Sequence, residues 1–538
     1  MTSTTHIIRF GVVLSMVFVS AQALAWGPRA QRAITGMGIQ VIQTKYPGTF
    51  RPGDTNYESD VLRGAEAGTA VISKSLPINT EEEAIQAVGI QIQLLRDVRP
   101  EGAGSYFAYR MGALSALISD VLLPYGLAWT PEDKALLAKM DKDINTHLSD
   151  FGYTDPTPKR STITDVEYYF RSLQVFYGDN RLLIKEDYRR GPGYDGFLKE
   201  SGQTFFSKSV EATSDAWFTI IQPKASGSKA PVTSALMQDY FVNEIAYLLE
   251  QKANIHQADF AYDNLAELSP TDPEVFEQVG DNYYAFGTPE STERSVSEWR
   301  TAYSLSGPNR DRVADKLSKH YLNEGRSFLE EAEEKGKGET ELPSALSSFQ
   351  EALRFDRTSE VAADLIQETN RRKKARDERR EMIVKIIASA ASTQEQAENQ
   401  ATGGNFGNSI SSYRKALEIL AAVDDEFTDQ FEISKDMEQG ITRSVSTTIS
   451  DVQDLASSAI AEGERQEESH KYEDAIKSYE RVAAIVEVIP DDHTKNSLEA
   501  KLDIIELADA KIEQAKKKKI QYDEASKNPQ GRPKPPAN

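Results

Sequence analysis

The sequence predicts an all-α protein, with a helical bundle in the first part of the chain and an α-solenoid of helical hairpins in the second. Two observations predict this class. Apolar and small residues recur at helical spacing in the first part, for example over residues 108–122. From about Ser234 onward, long stretches rich in Ala, Glu, Lys, Leu and Gln contain few Pro or Gly residues. At roughly 100–200 residues per domain, a chain of 538 residues has room for both parts.

The overall composition narrows the classes of function. The chain has 62 Lys and Arg residues against 84 Asp and Glu residues, a formal net charge of -22. This balance argues against a dedicated nucleic-acid binder, because phosphate contacts need basic residues in excess. The absence of cysteine excludes disulfides, thiolate zinc sites and cysteine nucleophiles. Only six histidines are present for any imidazole chemistry.

The first 25 residues have the layout of a secretory signal peptide. A short segment with one basic residue, Arg9, precedes the apolar run Phe10–Val19, and residues 23–25 form a small-x-small cleavage pattern. We therefore expect an exported protein, periplasmic or secreted, whose mature chain begins at Trp26; an uncleaved anchor is the alternative. No later stretch approaches ~18 apolar residues, so no transmembrane segment is expected after signal cleavage.

Two segments of the first part carry a family resemblance. Residues 26–31 read Trp-Gly-Pro-Arg-Ala-Gln, and residues 108–120 read Ala-Tyr-Arg-Met-Gly-Ala-Leu-Ser-Ala-Leu-Ile-Ser-Asp. Pro124 and Gly126 end the second helix. Together these segments resemble the superfamily of zinc-dependent phospholipases C and single-strand-specific nucleases. The resemblance implies a mostly helical domain over residues 26–233.

The resemblance also implies a metal site. In that family the terminal Trp, several histidines and carboxylates hold a trinuclear zinc site, which generates hydroxide and stabilises the phosphodiester transition state. The candidate positions that this sequence keeps are Trp26, Asp60, Asp120 and His147. The positions at which histidines of the family are replaced are Gln31, Ala116 and Gly126. Because an amide, a methyl group and a hydrogen cannot act as imidazole ligands, we expect a pseudoenzyme without catalytic residues, bound metal or cofactor.

The residues that remain at these positions have structural interpretations. Asp120 is expected to be a capped or hydrogen-bonded carboxylate inside the helical bundle. His147 is expected to lie on the surface or at the end of a helix, and Trp26 to anchor the new N-terminus by packing.

Three other segments of the first part are predicted to have structural roles and to bind no ligand. Gly191–Gly196 matches G-x-G-x-x-G only formally, since Pro192 interrupts it and a dinucleotide site needs a preceding strand, so we predict a turn. Residues 205–221 predict an amphipathic helix that closes the bundle. Residues 226–231 predict a boundary loop.

One pattern recurs in the second part: a small residue, an aromatic residue four positions later, and Ala or Leu three or four positions beyond. The aromatic positions, separated by 37, 50, 64 and 66 residues, are Tyr262, Trp299, Phe349, Tyr413 and Tyr479. These stretches resemble the second helices of tetratricopeptide repeats, in which the aromatic side chain fills a groove of the neighbouring helix. The wide spacing leaves three alternatives open: a divergent hairpin between the clear ones, longer helices, or an ordinary antiparallel bundle.

Three further segments of the second part are interpreted as structural. Arg371–Arg380 is a basic run within a long helical pattern, either a solvated face or a docking patch for an acidic partner. Gly403–Asn408 lacks the Lys-Ser/Thr of a phosphate loop and is expected to be a turn between helices. Residues 528–538 form a Pro-rich tail that we expect to be disordered.

These observations divide the chain into a signal peptide (1–25), a degenerate phospholipase C-like helical domain (26–233), tetratricopeptide-like helical repeats (234–527) and a tail (528–538). They predict an exported, non-catalytic scaffold or adaptor that binds protein or peptide partners through the repeats and does not bind nucleic acid. The alternative is a divergent metal-dependent hydrolase of phosphodiesters or phospholipids.

Overall fold

The computed structural model describes residues 26–52, 55–98, 104–153, 160–175, 178, 180–222, 232–334, 338–492 and 494–527. Within these ranges there are twenty α-helices, two short 3-10 helices and no β-strand. The prediction of an all-α protein is therefore confirmed for the described chain. No helix in these ranges has both the length and the hydropathy needed to cross a bilayer. The predicted signal peptide, boundary loop and tail lie outside the described residues.

The chain divides into two compact units, the first ending at Val313 and the second beginning at Ala314. The helices of the first unit are α1 (Gly27–Lys45), α2 (Glu58–Ala67), α3 (Ala70–Ser73), α4 (Glu81–Val98), α5 (Ser105–Leu122), α6 (Pro131–Thr146), α7 (Val166–Gln174), α8 (Asn180–Arg190), α9 (Phe197–Ile221), α10 (Ser234–Lys252), α11 (Ile255–Glu267), α12 (Pro273–Phe286) and α13 (Pro289–Ser304). The division falls within α14 (Arg310–Glu331). The later helices are α15 (Gly338–Phe355), α16 (Glu360–Thr402), α17 (Phe406–Leu420), α18 (Thr428–Glu468), α19 (Tyr472–Val486) and α20 (Lys495–Lys527).

Helix α5 forms the centre of the first unit. Almost all of its residues are buried, and α1, α2, α4, α9 and α10 pack around it. The backbones of α2 and α5 touch, since a Cβ atom on Gly64 or on Gly112 would overlap the backbone of the facing helix. Only glycine permits this approach, so these two positions set the spacing of the central helix pair.

The first unit extends past residue 233, where the composition of the chain changes. Ring centroids of Tyr106 on α5 lie 5.0 Å from Tyr240 and 5.5 Å from Tyr247 on α10. One hydrophobic core runs from Trp26 to Tyr283. The change in composition marks the start of more regular helices. It does not mark the end of the first unit, because buried aromatic rings on both sides of residue 233 pack together.

Short segments that the sequence interprets as turns lie between helices. Helix α5 ends at Leu122, before Pro124, and α16 and α17 are separated by residues 403–405. Residues 191–196 form a bend with one 3-10 turn at Gly193–Asp195. The amphipathic helix predicted over residues 205–221 is present as the larger part of α9. These predictions are confirmed, except that Phe406–Asn408, expected to belong to the turn after α16, are the first residues of α17.

The second unit is built from long helices that alternate with short ones. Helices α16, α18 and α20 have 43, 41 and 33 residues, whereas α17 and α19 have 15 each. Over residues 338–492 the wide spacing of the aromatic positions is thus explained by longer helices rather than by an additional hairpin. Helix α16 contributes to two hydrophobic cores. Its residues Leu365 and Ile366 pack with Phe349. Further along the helix, Ile383 and Ile387 pack with Tyr413.

Candidate functional site

The first candidate site is the buried contact between α1 and α5, where the resemblance places zinc ligands. Trp26 is completely buried at the start of α1, and its Nε1 donates a hydrogen bond of 3.1 Å to the backbone oxygen of Ser119. Its ring packs edge-on against Phe151 and Phe206. The packing role expected for Trp26 therefore agrees with its contacts, which hold the beginning of α1 against α5.

Gln31 is the centre of a neutral hydrogen-bond network in this contact. Its Nε2 lies 3.3 Å from both Thr35 Oγ1 and Ser115 Oγ, and its Oε1 accepts a hydrogen bond of 2.5 Å from Ser119 Oγ. The hydroxyl oxygens of Thr35 and Ser115 are 2.7 Å apart. All four side chains are completely buried. Their polar groups satisfy one another without any charge, which is how a buried polar cluster avoids a desolvation penalty.

Asp120 lies on α5 just beyond this network. Its Oδ2 accepts a hydrogen bond of 2.6 Å from Thr69 Oγ1, and the side chain is almost completely buried. Gly126 follows in the turn after α5, where a Cβ atom would overlap the backbone carbonyl group of Asp120. A histidine at residue 126 would therefore require the turn to move. Asp120 is a hydrogen-bonded carboxylate inside the bundle, as expected.

Asp60 has its partners on α10. The side chain is 1% exposed, and its Oδ1 lies 2.7 Å from both Lys252 Nζ and Tyr247 Oη. Burial, reinforced by the hydrogen bond to Asp60, raises the pKa of Tyr247. Arg63 makes a longer contact of 3.8 Å with the same oxygen. The carboxylate charge is thus balanced chiefly by Lys252, and Tyr247 donates a hydrogen bond to it, an arrangement that ties α2 to α10.

His147 lies at the C-terminal end of α6, as its helix-end interpretation predicts. Its ring stacks on Tyr194 at a centroid distance of 4.0 Å, and Nδ1 lies 3.5 Å from Asp150 Oδ2. Tyr194 Oη donates a hydrogen bond of 3.2 Å to the same oxygen. Burial, followed by the charge of Asp150, raises the pKa of Tyr194 to about 12. The His147 side chain is 41% exposed and takes part in a local stacking cluster.

The four positions kept from the resemblance do not form one ligand set. Trp26 contacts the segment of α5 that carries Asp120, whereas Asp60 and His147 have other partners. In the ranges that the structure describes, no three His, Asp or Glu side chains are arranged to hold a metal ion. The donors between α1 and α5 are an amide and three hydroxyl groups. This set does not fit a zinc cluster, since zinc binds imidazole, thiolate and carboxylate groups.

The second candidate site consists of the hairpins α16–α17 and α18–α19, which repeat one another at an offset of 66 residues. Each buries one tyrosine of the predicted pattern, Tyr413 in the first and Tyr479 in the second. Ser412 Oγ donates to Gln400 Oε1, and Ser478 Oγ donates to Gln466 Oε1, both at 2.9 Å. The same side chains at the same spacing make the same contact, so the two hairpins are structural repeats.

The contact between α14 and α15 shares part of this pattern. Ser348 Oγ donates a hydrogen bond of 2.7 Å to Glu324 Oε2, and Phe349 is completely buried. A Cβ atom on Gly325 would overlap the ring of Phe349, and one on Gly463 would overlap the ring of Tyr479. Small residues opposite the aromatic ring allow the close helix contact that the sequence pattern predicts.

The other two aromatic positions of the pattern, Tyr262 and Trp299, belong to the first compact unit. Trp299 is buried, and its Nε1 donates a hydrogen bond of 3.0 Å to Asp281 Oδ1. Tyr262 is only half-buried, with the guanidinium of Arg294 4.2 Å from its ring centroid. Burial, followed by the charge of Glu298, raises the pKa of Tyr262 to about 12.

The basic run of α16 is exposed, but its arginines are engaged within the second unit. Arg372 forms an ion pair of 3.0 Å with Glu333, and Arg380 lies 2.8 Å from Glu339 and 2.6 Å from Asp429. Arg379 pairs with Asp424 and Glu426, and Arg376 lies over the ring of Phe427. Because acidic residues on both sides of this segment already neutralise it, the contacts favour a solvated face over a docking patch.

The partners of Gln31 in its hydrogen-bond network and the partners of Asp60 were not identified from the sequence. Gln31 with Thr35, and Ser115 with Ser119, are pairs four residues apart, so each pair lies on one face of its helix. Polar pairs at this spacing within apolar helices are a signal that could have found the network. Tyr247 and Lys252 lie far along the chain from Asp60, and no local pattern indicates them.

No protein-family model matches this sequence, and no curated protein matches it either.

Proposed function

We propose that this protein is an exported, non-catalytic scaffold or adaptor that binds protein or peptide partners through the tetratricopeptide-like hairpins of its second part. Its first part is a phospholipase C-like module without a catalytic metal. The observation that carries the proposal is the repeated contact of the hairpins α16–α17 and α18–α19. Hairpins that repeat their packing present equivalent exposed faces in succession, and such faces bind extended partners.

The contact between α1 and α5 supports the non-catalytic part of the proposal. Gln31 and three hydroxyl groups hydrogen-bond to one another at the place where the resemblance implies zinc. The carboxyl group of Asp120 already accepts a hydrogen bond from Thr69. Neutral side chains that satisfy one another supply neither a metal ligand nor an activated nucleophile.

Partner binding can be tested with site-specific photo-crosslinking of the full-length chain in its native compartment. Lys415 and Arg481 are exposed at equivalent positions of the two hairpins, and Lys134 on α6 is an exposed control in the first unit. We expect one partner to be crosslinked from residues 415 and 481 and not from residue 134. Partners captured only from residue 134 would contradict the assignment of binding to the hairpins.

The absence of metal chemistry has a separate test. We expect purified mature protein to contain no stoichiometric zinc and to leave a chromogenic phosphodiester intact. Zinc that is present at one ion or more per chain and is lost in Asp120→Ala, but retained in the exposed control Glu132→Ala, would overturn the proposal. That result would favour the metal-dependent hydrolase instead.

Export is tested by sequencing the N-terminus of the mature protein. We expect it to begin at Trp26, since cleavage after Ala25 follows the small-x-small pattern. A mature chain that still begins at Met1 would contradict this part of the proposal.

A further inference from the structure

The first unit contains a cavity of about 180 Å³ between the beginning of α5 and the helices α10 and α11. Its walls include the aromatic side chains of Tyr240, Phe241 and Phe260 and the aliphatic side chain of Leu248. Phe260 is 53% exposed, so this side of the cavity reaches solvent. An apolar cavity of about 150 Å³ admits a benzene molecule. This cavity therefore has room for a ligand group of similar size.

Glu244 supplies the only carboxyl group among the described residues that line the cavity. It forms no hydrogen bond or ion pair with any residue in the described ranges. Burial alone raises the pKa of Glu244 to about 8. When a buried carboxyl group has no partner, a cation that enters the cavity stabilises its charged form.

Among the described residues, the surrounding helices do not supply a counter-ion for Glu244. Among the described ionisable groups, the charge of Glu244 acts on Tyr106 and Tyr240, and Arg110 and Asp239 act on Tyr106. On α4, Arg96 and Asp97 directly precede the lining residue Val98. Arg110 donates hydrogen bonds of 2.5 Å to Gln91 Oε1 and 3.3 Å to Tyr106 Oη. Helix α11 contributes neutral side chains to the wall. No cation of the described chain lowers the pKa of Glu244, since burial is its one resolved cause.

We propose that this cavity binds a small organic ammonium ion, with Glu244 as its counter-ion and the aromatic rings around its apolar part. A carboxylate forms a charge-assisted hydrogen bond with an ammonium group, and aromatic faces attract cations. A free amine and the lysine side chain of a peptide present the same primary ammonium group on an apolar stem. The cavity lies in the first unit, so the inference does not depend on partner binding by the hairpins.

The test is calorimetric titration of the full-length protein with benzylamine at pH 6 and pH 8. Because a carboxyl group with a pKa of about 8 must lose its proton to pair with the ammonium ion, we expect binding about 50-fold tighter at pH 8. Benzyl alcohol has nearly the same shape without the charge and should bind weakly at both pH values. A capped Gly-Lys-Gly peptide distinguishes the two sources, since it binds only if the cavity accepts a lysine side chain. Benzyl alcohol that binds as tightly as benzylamine at pH 8 would overturn the proposal.

Two variants assign the effect to the carboxyl group. Glu244→Gln should weaken benzylamine binding at pH 8 at least tenfold and abolish its pH dependence. Glu250→Gln, an exposed position on the same helix, should bind as the unmodified protein does. If Glu244→Gln does not fold, proton release from the unmodified protein decides the question. About one proton should leave per benzylamine bound at pH 6, and no release would contradict the proposal.

Discussion

The two compact units differ in how they hold their acidic side chains. In the first unit, several carboxyl groups have a raised pKa, and burial is the largest cause for each. These groups are Asp141, Asp215, Glu244 and Glu298. In the second unit, several carboxyl groups have a lowered pKa, and a hydrogen bond from Arg, Lys or Gln is the largest cause for each. These groups are Glu368, Glu381, Asp429 and Glu473.

This difference follows from the thickness of the two cores. The first unit surrounds α5 with helices, so a polar group inside it loses contact with water whether or not it finds a partner there. The second unit stacks hairpins, in which most acidic side chains stay at the surface beside basic ones. A charge inside the first unit therefore affects stability far more than a charge on the second.

The first prediction tests that contrast with two lysines that are equally exposed. Lys252 and Lys511 are each 27% exposed, but Asp60 beside Lys252 is 1% exposed, whereas Glu464 beside Lys511 is 47% exposed. Lys252→Met should lower the free energy of unfolding by about 3–5 kcal/mol because it leaves a buried carboxylate without its nearest cation. Lys511→Met should change it by less than about 1 kcal/mol.

Urea unfolding measures both effects separately. All four tryptophans of the chain precede residue 313, so tryptophan fluorescence follows the first unit and far-UV circular dichroism follows both. Equal losses of stability in the two variants would contradict the contrast between buried and exposed charges.

The second prediction concerns helix contacts. Gly112→Ala places a methyl group on the backbone of α2 and should destabilise the first unit by about 2–3 kcal/mol through overpacking. Gly440→Ala on α18 has open space around it and should stabilise the second unit by about 0.5–1 kcal/mol, since alanine favours the helix. Thermal unfolding of the two variants checks the opposite signs, and a neutral Gly112→Ala would show that α2 and α5 can separate without cost.

The third prediction uses the raised pKa of Glu244. The pKa of Glu244 is 4.5 in the unfolded chain and about 8 in the folded first unit. Between these two pH values, the folded protein keeps a proton on Glu244 that the unfolded chain has lost. The stability contributed by this group therefore falls as pH rises through that window. Glu244→Gln should unfold like the original chain at pH 4 and be about 4 kcal/mol more stable at pH 8. Urea midpoints from tryptophan fluorescence across this pH range provide the measurement, and a constant difference between the two proteins would refute it.

The smallest expected effect tests the repeat itself. Ser412→Ala and Ser478→Ala each remove one hydrogen bond between a short helix and the long helix before it. Each should cost about 1 kcal/mol, and the two losses should agree closely because the contacts are equivalent. Far-UV circular dichroism during urea unfolding measures them; Ser411→Ala, at an exposed neighbouring position, is the control. Clearly unequal losses would show that the two hairpins share a sequence pattern but that their equivalent hydrogen bonds do not stabilise them equally.

Much of the local structure could be predicted because its causes are local. Pro124 and Gly126 end α5, Gly403 separates α16 from α17, and His147 lies at a helix end, each through backbone preferences of neighbouring residues. The division after Val313 could not be predicted in this way. The extension of the first unit past residue 233 depends on aromatic rings of α5 and α10, which pack together although the helices lie far apart in the sequence.

By itself the sequence determined the helical class, the helix ends and the position of the aromatic rings in the hairpins. Those features follow from contacts within one hairpin, such as Ser412 with Gln400, twelve residues apart. Only the tertiary structure decided that Gln31 meets Ser115, that Asp60 meets Tyr247, and that Glu244 lines a cavity. The partners of the first two are 84 and 187 residues away. Which distant side chains meet, and which remain without a partner, depends on how whole helices pack, and no short stretch of sequence contains that information.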